Sequence, residues 1–348
     1  MVEEINNIVE GLFIPTWDNK PPYRKPILSV NGVGILKFQN ISCIIAAPGS
    51  GKSSVCESII SSVINKDCDS LGFETEIESI LYIDFERAEE DVWTSFARTM
   101  NRAKVKPGET IEKANIISLR NVSNAKDRKA KIEQLLRHYK PELLLLDGIG
   151  DLVDDTNSLE QSIECKNWVR YITSEFGVSI LTTLHPNKNS LTPRGHIGSE
   201  ILREAEGVLA ITTDANEVRT LTSNFEHGKA RNGGHATTCF EWSDENKMFV
   251  SAEVVEKVRV TKVAPEDKLT HEELIQLVKD THSQPLNAES TKTKVKDYLD
   301  TKDFKYIKKH RTDILKFVKF LEANNYLTVL NIGSDKRTKY YKIHSIHE

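Results

Sequence analysis

With 348 residues the chain has room for one α/β domain of roughly 200–250 residues and a small appendix. Its 47 basic and 51 acidic side chains leave a net charge of only −4, so the bulk composition carries no nucleic-acid signature, and no apolar run is long enough to cross a membrane. Five scattered cysteines (Cys43, Cys56, Cys68, Cys165 and Cys239) include no C-x-x-C pair, which argues against a zinc site or disulfide framework and points to a reducing cytoplasm.

The acidic start MVEEINNIVEG does not read as a signal peptide. Residues 1–35 are predicted to be an N-terminal arm. It has a short amphipathic piece at 5–13, then an extended segment broken by Pro15, Pro21, Pro22 and Pro26. The arm lies against the core or a neighbouring subunit, or is a plain lead-in. From 36 to 262 strands and helices alternate, which predicts a mostly parallel sheet with helices on its faces.

Within that core, the apolar run 41–45 reads as a buried strand and 54–64 as a helix. Between them stands Ala46-Ala47-Pro48-Gly49-Ser50-Gly51-Lys52-Ser53, followed by Ser54. Strand, glycine-bearing turn and a helix opening on Lys-Ser form the setting of a phosphate-binding loop. Gly49 and Gly51 let successive N–H groups turn inward onto phosphate oxygens, and the helix N-terminus adds its positive end. Lys52 can reach terminal phosphates, and the Ser53 hydroxyl can bind Mg2+. Small-residue turns also open ordinary helices, but without this Lys-Ser context.

The next apolar strand, 79–86, ends in Asp84 and Glu86. Hydrolysis needs a group that orients the attacking water. Glu86 is the favoured candidate and Asp84 the runner-up, and either could instead cap the following helix at 88–104. A strand at 115–119 and a helix at 127–139 follow. Leu143-Leu144-Leu145-Leu146 then carries Asp147 to the C-terminal sheet edge, where ligands bind in such folds and where this carboxylate can hold a Mg2+ shell. A helix over 159–176 is predicted to turn Leu159, Ile163, Val169, Ile172 and Phe176 inward. The strand 178–184 ends at His185, placed to sense a γ-phosphate. Lys188, Arg194 and His196 lie on the loop 186–198, which its Pro, Asn and Gly content makes mobile, for gating, DNA contact or simple solvation. Strands at 208–212, 218–225, 237–242 and 248–250 are predicted as antiparallel hairpins at one sheet edge. Between two of them, Lys229-x-Arg231 stands on a glycine-rich tip. It could complete a neighbour's site by stabilising charge on a transferred phosphoryl group, or be a basic turn.

The order of these motifs, and the phrases YIDFE, LLLLDGIGDLV, TTLHPNK, RGHIGSE and KARNG, resemble the RecA-like ATPases. Within them the likeness is to the RepA and DnaB type of hexameric helicase on plasmids and mobile elements, over roughly residues 25–260. The resemblance implies a RecA-like P-loop core, a homo-oligomeric ring, often of six, ATP at each interface, and single-stranded DNA in the central channel. By position it makes Lys52 and Ser53 the phosphate and Mg2+ ligands, Asp147 the Mg2+ carboxylate, Glu86 the water-activating base and His185 the sensor. Arg231, helped by Lys229, becomes the finger from the adjacent subunit, with Arg194 and Arg203 as rivals. DnaB-type members carry a separate N-terminal domain that the short arm does not supply; RepA-type members manage without it.

Residues 263–268 read as a linker and 269–348 as a second domain. Helices are predicted at 270–281, at 290–299 with Ser290 as N-cap, and at 306–324 with Ile314, Leu315, Val318 and Leu321 inward. A hairpin at 327–332 and 338–343 follows, so the whole resembles a winged helix. From Leu269 onward, 15 basic residues face 11 acidic ones. Lys305, Lys308, Lys309 and Arg311 precede the third helix, and Lys336, Arg337 and Lys339 lie on the wing. That is the footprint of duplex DNA contact, or of a module that docks a replication protein. Two functions stay open: an ATP-driven helicase, and a non-helicase ATP-dependent switch, loader or regulator bound to DNA. A small-molecule kinase is disfavoured, since the chain offers a finger and a winged tail and no acceptor lid.

Overall fold

The computed structural model describes residues 14–188, 190–230, 233–253, 264–265, 269–301, 311–331 and 339–344. The chain divides into two units, Met1–Val255 and Glu256–Glu348.

The first unit corrects the arm expected over 1–35. Strands β1 (Leu28–Val30) and β2 (Val33–Leu36) form a hairpin whose Leu28, Val30, Ile35 and Leu36 are buried. Its alternating small apolar residues hide a strand pattern behind the prolines that precede it. Strand β3 (Ile41–Ala46), buried at every position, runs into helix α1 (Lys52–Ile64). Strand β4 (Phe73–Thr75), not foreseen, pairs with β1 and completes a small three-stranded sheet.

The main sheet continues with β5 (Ile80–Asp84), α2 (Glu89–Arg102), β6 (Ala114–Ser118), α3 (Ala125–Tyr139) and β7 (Leu143–Asp147). After them come α4 (Leu159–Glu175), β8 (Ser179–Leu184), α5 (Gly195–Glu204) and β9 (Gly207–Thr213). Six strands run parallel in the order β9-β3-β8-β7-β5-β6. Strands β10 (Arg219–Thr222), β11 (Lys229–Ala230), β12 (Thr237–Ser243) and β13 (Met248–Ala252) extend the β9 edge in antiparallel fashion.

Strands covered on both faces need apolar residues at every position, hence runs such as Leu143–Leu146. Alternate side chains then feed two cores. One holds Ile44, Tyr82 and Leu145 with Val55 and Ile59 of α1. The other holds Ile45, Ile83 and Leu146 with Ile132 of α3, Val169 of α4 and Ile201 of α5. Helix α2 is tied to α1 through Glu57, whose buried carboxylate takes Arg98 at 2.8 Å and the Ser95 hydroxyl at 2.7 Å. This is the RecA-like α/β arrangement: a mostly parallel sheet, helices on both faces, and strand ends gathered at one edge.

Two local expectations fail. In α4, Leu159 is 51% and Ile163 39% exposed, while Ser162, Cys165, Val169 and Ile172 form the buried stripe. Spacing decides here over hydropathy: positions 162, 165, 169 and 172 recur every three or four residues on one face. Nor is 186–198 one open loop. Pro186 bridges Pro193, Asn187 N–H donates to Thr192 O at 2.8 Å, Arg194 N–H donates to His185 O at 2.8 Å, and Gly195 already opens α5.

In the second unit, α6 (His271–Thr281) opens with a capping box between Thr270 and Glu273. Strand β14 (Leu286–Asn287) follows, then α7 (Ala288–Thr301), α8 (Arg311–Ala323), β15 (Leu327–Asn331) and β16 (Lys339–Ile343). The three strands form an antiparallel sheet in the order β14-β16-β15. Ser290 is not the cap: α7 begins earlier, and Asn287 Oδ1 accepts the Ser290 N–H at 2.9 Å. Phe317 is buried beside Ile314, Val318 and Leu321, whereas Leu315 is 39% exposed. The third helix's expected start at 306, most of the 263–268 linker, the wing turn at 333–335, and Lys305, Lys308, Lys309, Lys336 and Arg337 lie outside the described residues.

Two outcomes follow. Gly207 N–H donates to Ser42 Oγ at 3.0 Å, and a Cβ on Gly207 would fall 2.2 Å from Ile35 O. Backbone cannot yield there, so Gly207→Ala should destabilise the first unit by about 3 kcal/mol, read from the denaturation midpoint. In the second unit His282 is buried between the Thr281 hydroxyl at 2.7 Å and that of Thr291 at 3.3 Å. Burial, with repulsion from Lys294, pushes it down from 6.5 to about 4. The unfolded chain then takes up the proton first as pH falls. This stability is complete above pH 6.5 and is lost towards pH 4. An NMR titration of the His282 ring should give a midpoint near 4, and His282→Gln should flatten the acid loss of stability.

Candidate active site

Strand β3 delivers the chain to an exposed turn, Ala47, Pro48 and Gly49, closed by Ser50, whose hydroxyl donates to Ala47 O at 2.7 Å. Gly51 sits at φ +94°, and a Cβ there would lie 2.9 Å from Phe240 Cε2 and 3.2 Å from Arg219 Cδ. Both the left-handed backbone and the close approach of β10 and β12 demand glycine. Helix α1 starts at Lys52 with no side chain capping it. Its first-turn amides have no intrahelical acceptor and carry the positive end of the helix dipole. Ser53 and Ser54 occupy the same turn.

Opposite stand the ends of β5 and β7, in register, with Asp84 beside Asp147. Both are buried. Asp147 Oδ1 takes Lys52 Nζ at 3.0 Å and the Thr183 hydroxyl at 2.9 Å, and Oδ2 takes the Tyr82 hydroxyl at 2.8 Å. Burial pulls the Lys52 ammonium down, but Asp147 and Glu86 together outweigh it and hold it above its usual range. Two residues past β5, Glu86 is half-exposed, with Oε1 3.4 Å from His185 Nε2. That contact, aided by Lys52 and opposed by burial, holds Glu86 below the usual carboxylate range, so it is ionised at neutral pH. His185 Nδ1 is buried without a hydrogen-bond partner among the described residues. A cavity of about 290 Å³ opens here, lined by Glu86, Asp151, Thr156, Thr183, His185 and Arg194.

The structure thus brings together the phosphate loop, Lys52, Asp147, Glu86 and His185. Lys229, expected to project from a hairpin tip toward a neighbour's site, is instead bonded within its own unit. Lys229 is in β11, paired with Val208 of β9, and its Nζ donates to Leu202 O at 2.6 Å. The strand pairing turns it back on its own sheet. Arg231 lies outside the described residues. Of its rivals, Arg194 lines the cavity, whereas Arg203 is held by Glu200 one turn away on α5. Asp84 is not a free base either: Arg87 Nε donates to it at 2.5 Å, and it accepts the Glu86 and Arg87 N–H groups at 3.0 and 2.8 Å. Sequence reasoning missed Tyr82, Arg87, Thr183 and Asp151. Tyr82 could have been found, because it shares a strand face with Asp84.

The donor set fits a nucleoside triphosphate with Mg2+. Unsatisfied amides and an ammonium suit phosphate oxygens. The Ser53 hydroxyl and the Asp147 carboxylate are hard oxygen ligands of the kind Mg2+ prefers.

A family model described as an AAA domain (AAA_25) matches residues 14–190, half of the chain, and spans the phosphate loop, Glu86, Asp147 and His185. No curated protein matched. Among solved structures, the crystal structure of a KaiC-like protein from the hyperthermophilic archaeon Pyrococcus horikoshii aligns at 16% identity with a TM-score of 0.46. The alignment takes in 67% of this chain and 100% of that one. The chain belongs to the AAA_25 family of P-loop ATPase domains.

Proposed function

We propose that the protein is an ATP-hydrolysing motor of the RepA and DnaB helicase type, acting on single-stranded DNA in the replication or mobilisation of a mobile element. The observation that supports hydrolysis is the gathering of Lys52, Asp147, Glu86 and His185 at one sheet edge, where Lys52 meets Asp147 and His185 meets Glu86. In this reading the backbone N–H groups of Gly49 to Ser54 and the Lys52 ammonium hold the triphosphate, and Ser53 and Asp147 hold Mg2+. Glu86 orients the attacking water. His185, touching Glu86, senses the terminal phosphate and passes its state to the 186–194 turn. Lys52 must leave Asp147 to do this, so the observed pair is the resting arrangement.

The motif order supports a ring, probed below by mass, with ATP between subunits. Arg194, already at the cavity, and Arg231 are the candidates for the charge-stabilising finger, and single-stranded DNA would pass through the channel. In the second unit, three helices and a late hairpin follow the order of a winged helix. With the local excess of basic residues, this supports contact with duplex DNA or a replication protein.

Lys52→Ala should lower ATP turnover by about 100-fold or more, while Glu86→Gln should keep nucleotide affinity and lose turnover by a similar factor, measured by phosphate release and titration with a fluorescent ATP analogue. Undiminished turnover in Glu86→Gln rejects its role. Single-stranded DNA should stimulate turnover, a forked duplex should be unwound, and the measured mass should rise to a ring with ATP and DNA. ATP-dependent assembly without unwinding would favour the switch, loader or regulator instead.

A further inference from the structure

Asp84 and Asp147 are adjacent buried acids, yet each faces a different cation: Arg87 for the first, Lys52 for the second. One side chain joins the two pairs. The Tyr82 hydroxyl accepts from Arg87 Nη2 at 2.7 Å and lies 2.8 Å from Asp147 Oδ2 and 3.2 Å from Asp84 Oδ2. A phenol has a single proton to donate. The shorter contact takes it, and Asp84 Oδ2 is already served by Arg87 Nε. The hydrogen bonds therefore run in one direction, from the Arg87 fork through Tyr82 to Asp147. At the other end, Asp84 Oδ1 grips the backbone N–H groups of Glu86 and Arg87.

We propose that Arg87 and Tyr82 are positioning residues that couple the Glu86 turn to Asp147, so that the water-orienting carboxylate and the Mg2+ carboxylate hold a fixed separation. The proposal rests on the roles given above to Glu86 and Asp147. Its physical content is a loss of freedom. Once Lys52 turns to the phosphates, Asp147 keeps only Thr183 on Oδ1 and Tyr82 on Oδ2 as its described partners. Without the Tyr82 proton, Oδ2 is a buried carboxylate oxygen with nothing to aim it, and it can rotate away from the metal position. Without the Arg87 fork, Tyr82 can divert its proton to Asp84, and the Glu86 turn loosens with it. A point charge cannot replace the fork, because two nitrogens in fixed geometry make the two contacts.

The test is Mn2+ binding in the presence of the non-hydrolysable analogue AMP-PNP, followed by electron paramagnetic resonance, beside steady-state ATP turnover. Tyr82→Phe keeps the ring and should weaken Mn2+ binding about tenfold, with metal-free nucleotide affinity within about twofold of wild type. Arg87→Ala should lower kcat about tenfold with little change in KM, and Arg87→Lys should not restore it. Tyr82→Phe combined with Arg87→Ala should lose no more Mn2+ affinity than the worse single change, since one chain of bonds is broken once. Wild-type Mn2+ affinity in Tyr82→Phe, rescue by Arg87→Lys, or additive losses would overturn the coupling alone. Should Arg87→Ala not fold, Tyr82→Phe decides. A wild-type protein that binds no Mn2+ with AMP-PNP overturns the coupling together with the ATPase site it serves.

Discussion

Two carboxylates end neighbouring parallel strands side by side, Asp84 on β5 and Asp147 on β7, and both are buried. Like charges that close, removed from water, do not coexist unless each is met by a cation or a hydrogen bond. Much of the edge can be read as the answer to that constraint. Lys52 comes from α1, Arg87 from the turn after β5, Thr183 from β8, and Tyr82 from within the strand. Four separate segments converge on one point because that point is intolerable without them. Burial lifts the Tyr82 phenol well above its ordinary range, and nearby Asp147 adds to the effect, so it stays protonated and remains a donor.

The same demand explains why the antiparallel extension is more than an appendage. Phe240 of β12 and Arg219 of β10 fill the space a side chain on Gly51 would need, just before the phosphate-loop helix. Arg219 is in turn stacked over Phe249 of β13 at 4.2 Å. The extension thus backs the loop from outside the parallel strands. Meanwhile Glu57 ties the middle of the same helix, α1, to Arg98 of α2. A loop whose amides must hold a fixed curvature before any ligand arrives needs such support on both sides.

What the sequence made legible was whatever repeats along the chain. Apolar runs ending in Asp84 and Asp147, the glycine spacing at 49 and 51, and the alternation of strand and helix are local patterns, and the parallel core follows from them. The edge at His185 was equally readable. Features fixed by packing between distant segments were not. Lys229 looked like a projecting cation because nothing local says that β11 returns to β9. Leu159 and Ile163 looked like core because hydropathy was weighed above spacing. Arg87 follows the favoured catalytic residue directly, yet its partner Tyr82 lies five residues back, and only the closed turn brings them to 2.7 Å. The hairpin of β1 and β2 was hidden by its own brevity, three and four residues beside a run of prolines.

Charge balance carries the reading one step further. At the resting edge Lys52 and Arg87 face Asp84, Asp147 and Glu86, while Arg128 pairs with Asp151 at 3.2 Å. These groups alone leave the edge one positive charge short before any phosphate enters, and a Mg2+-bound triphosphate would add further negative charge. The α1 dipole supplies about half a charge at its N-terminus. Arg194 lies within the cavity and adds one more. With Arg194 counted, cations and carboxylates at this edge only balance, so it offers little surplus positive charge to its cargo when it stands alone. A further cation brought by an adjoining copy would correct the mismatch, and the proposed ring supplies such a copy at every interface. On that account, nucleotide and neighbour each strengthen the other's binding through the same few atoms.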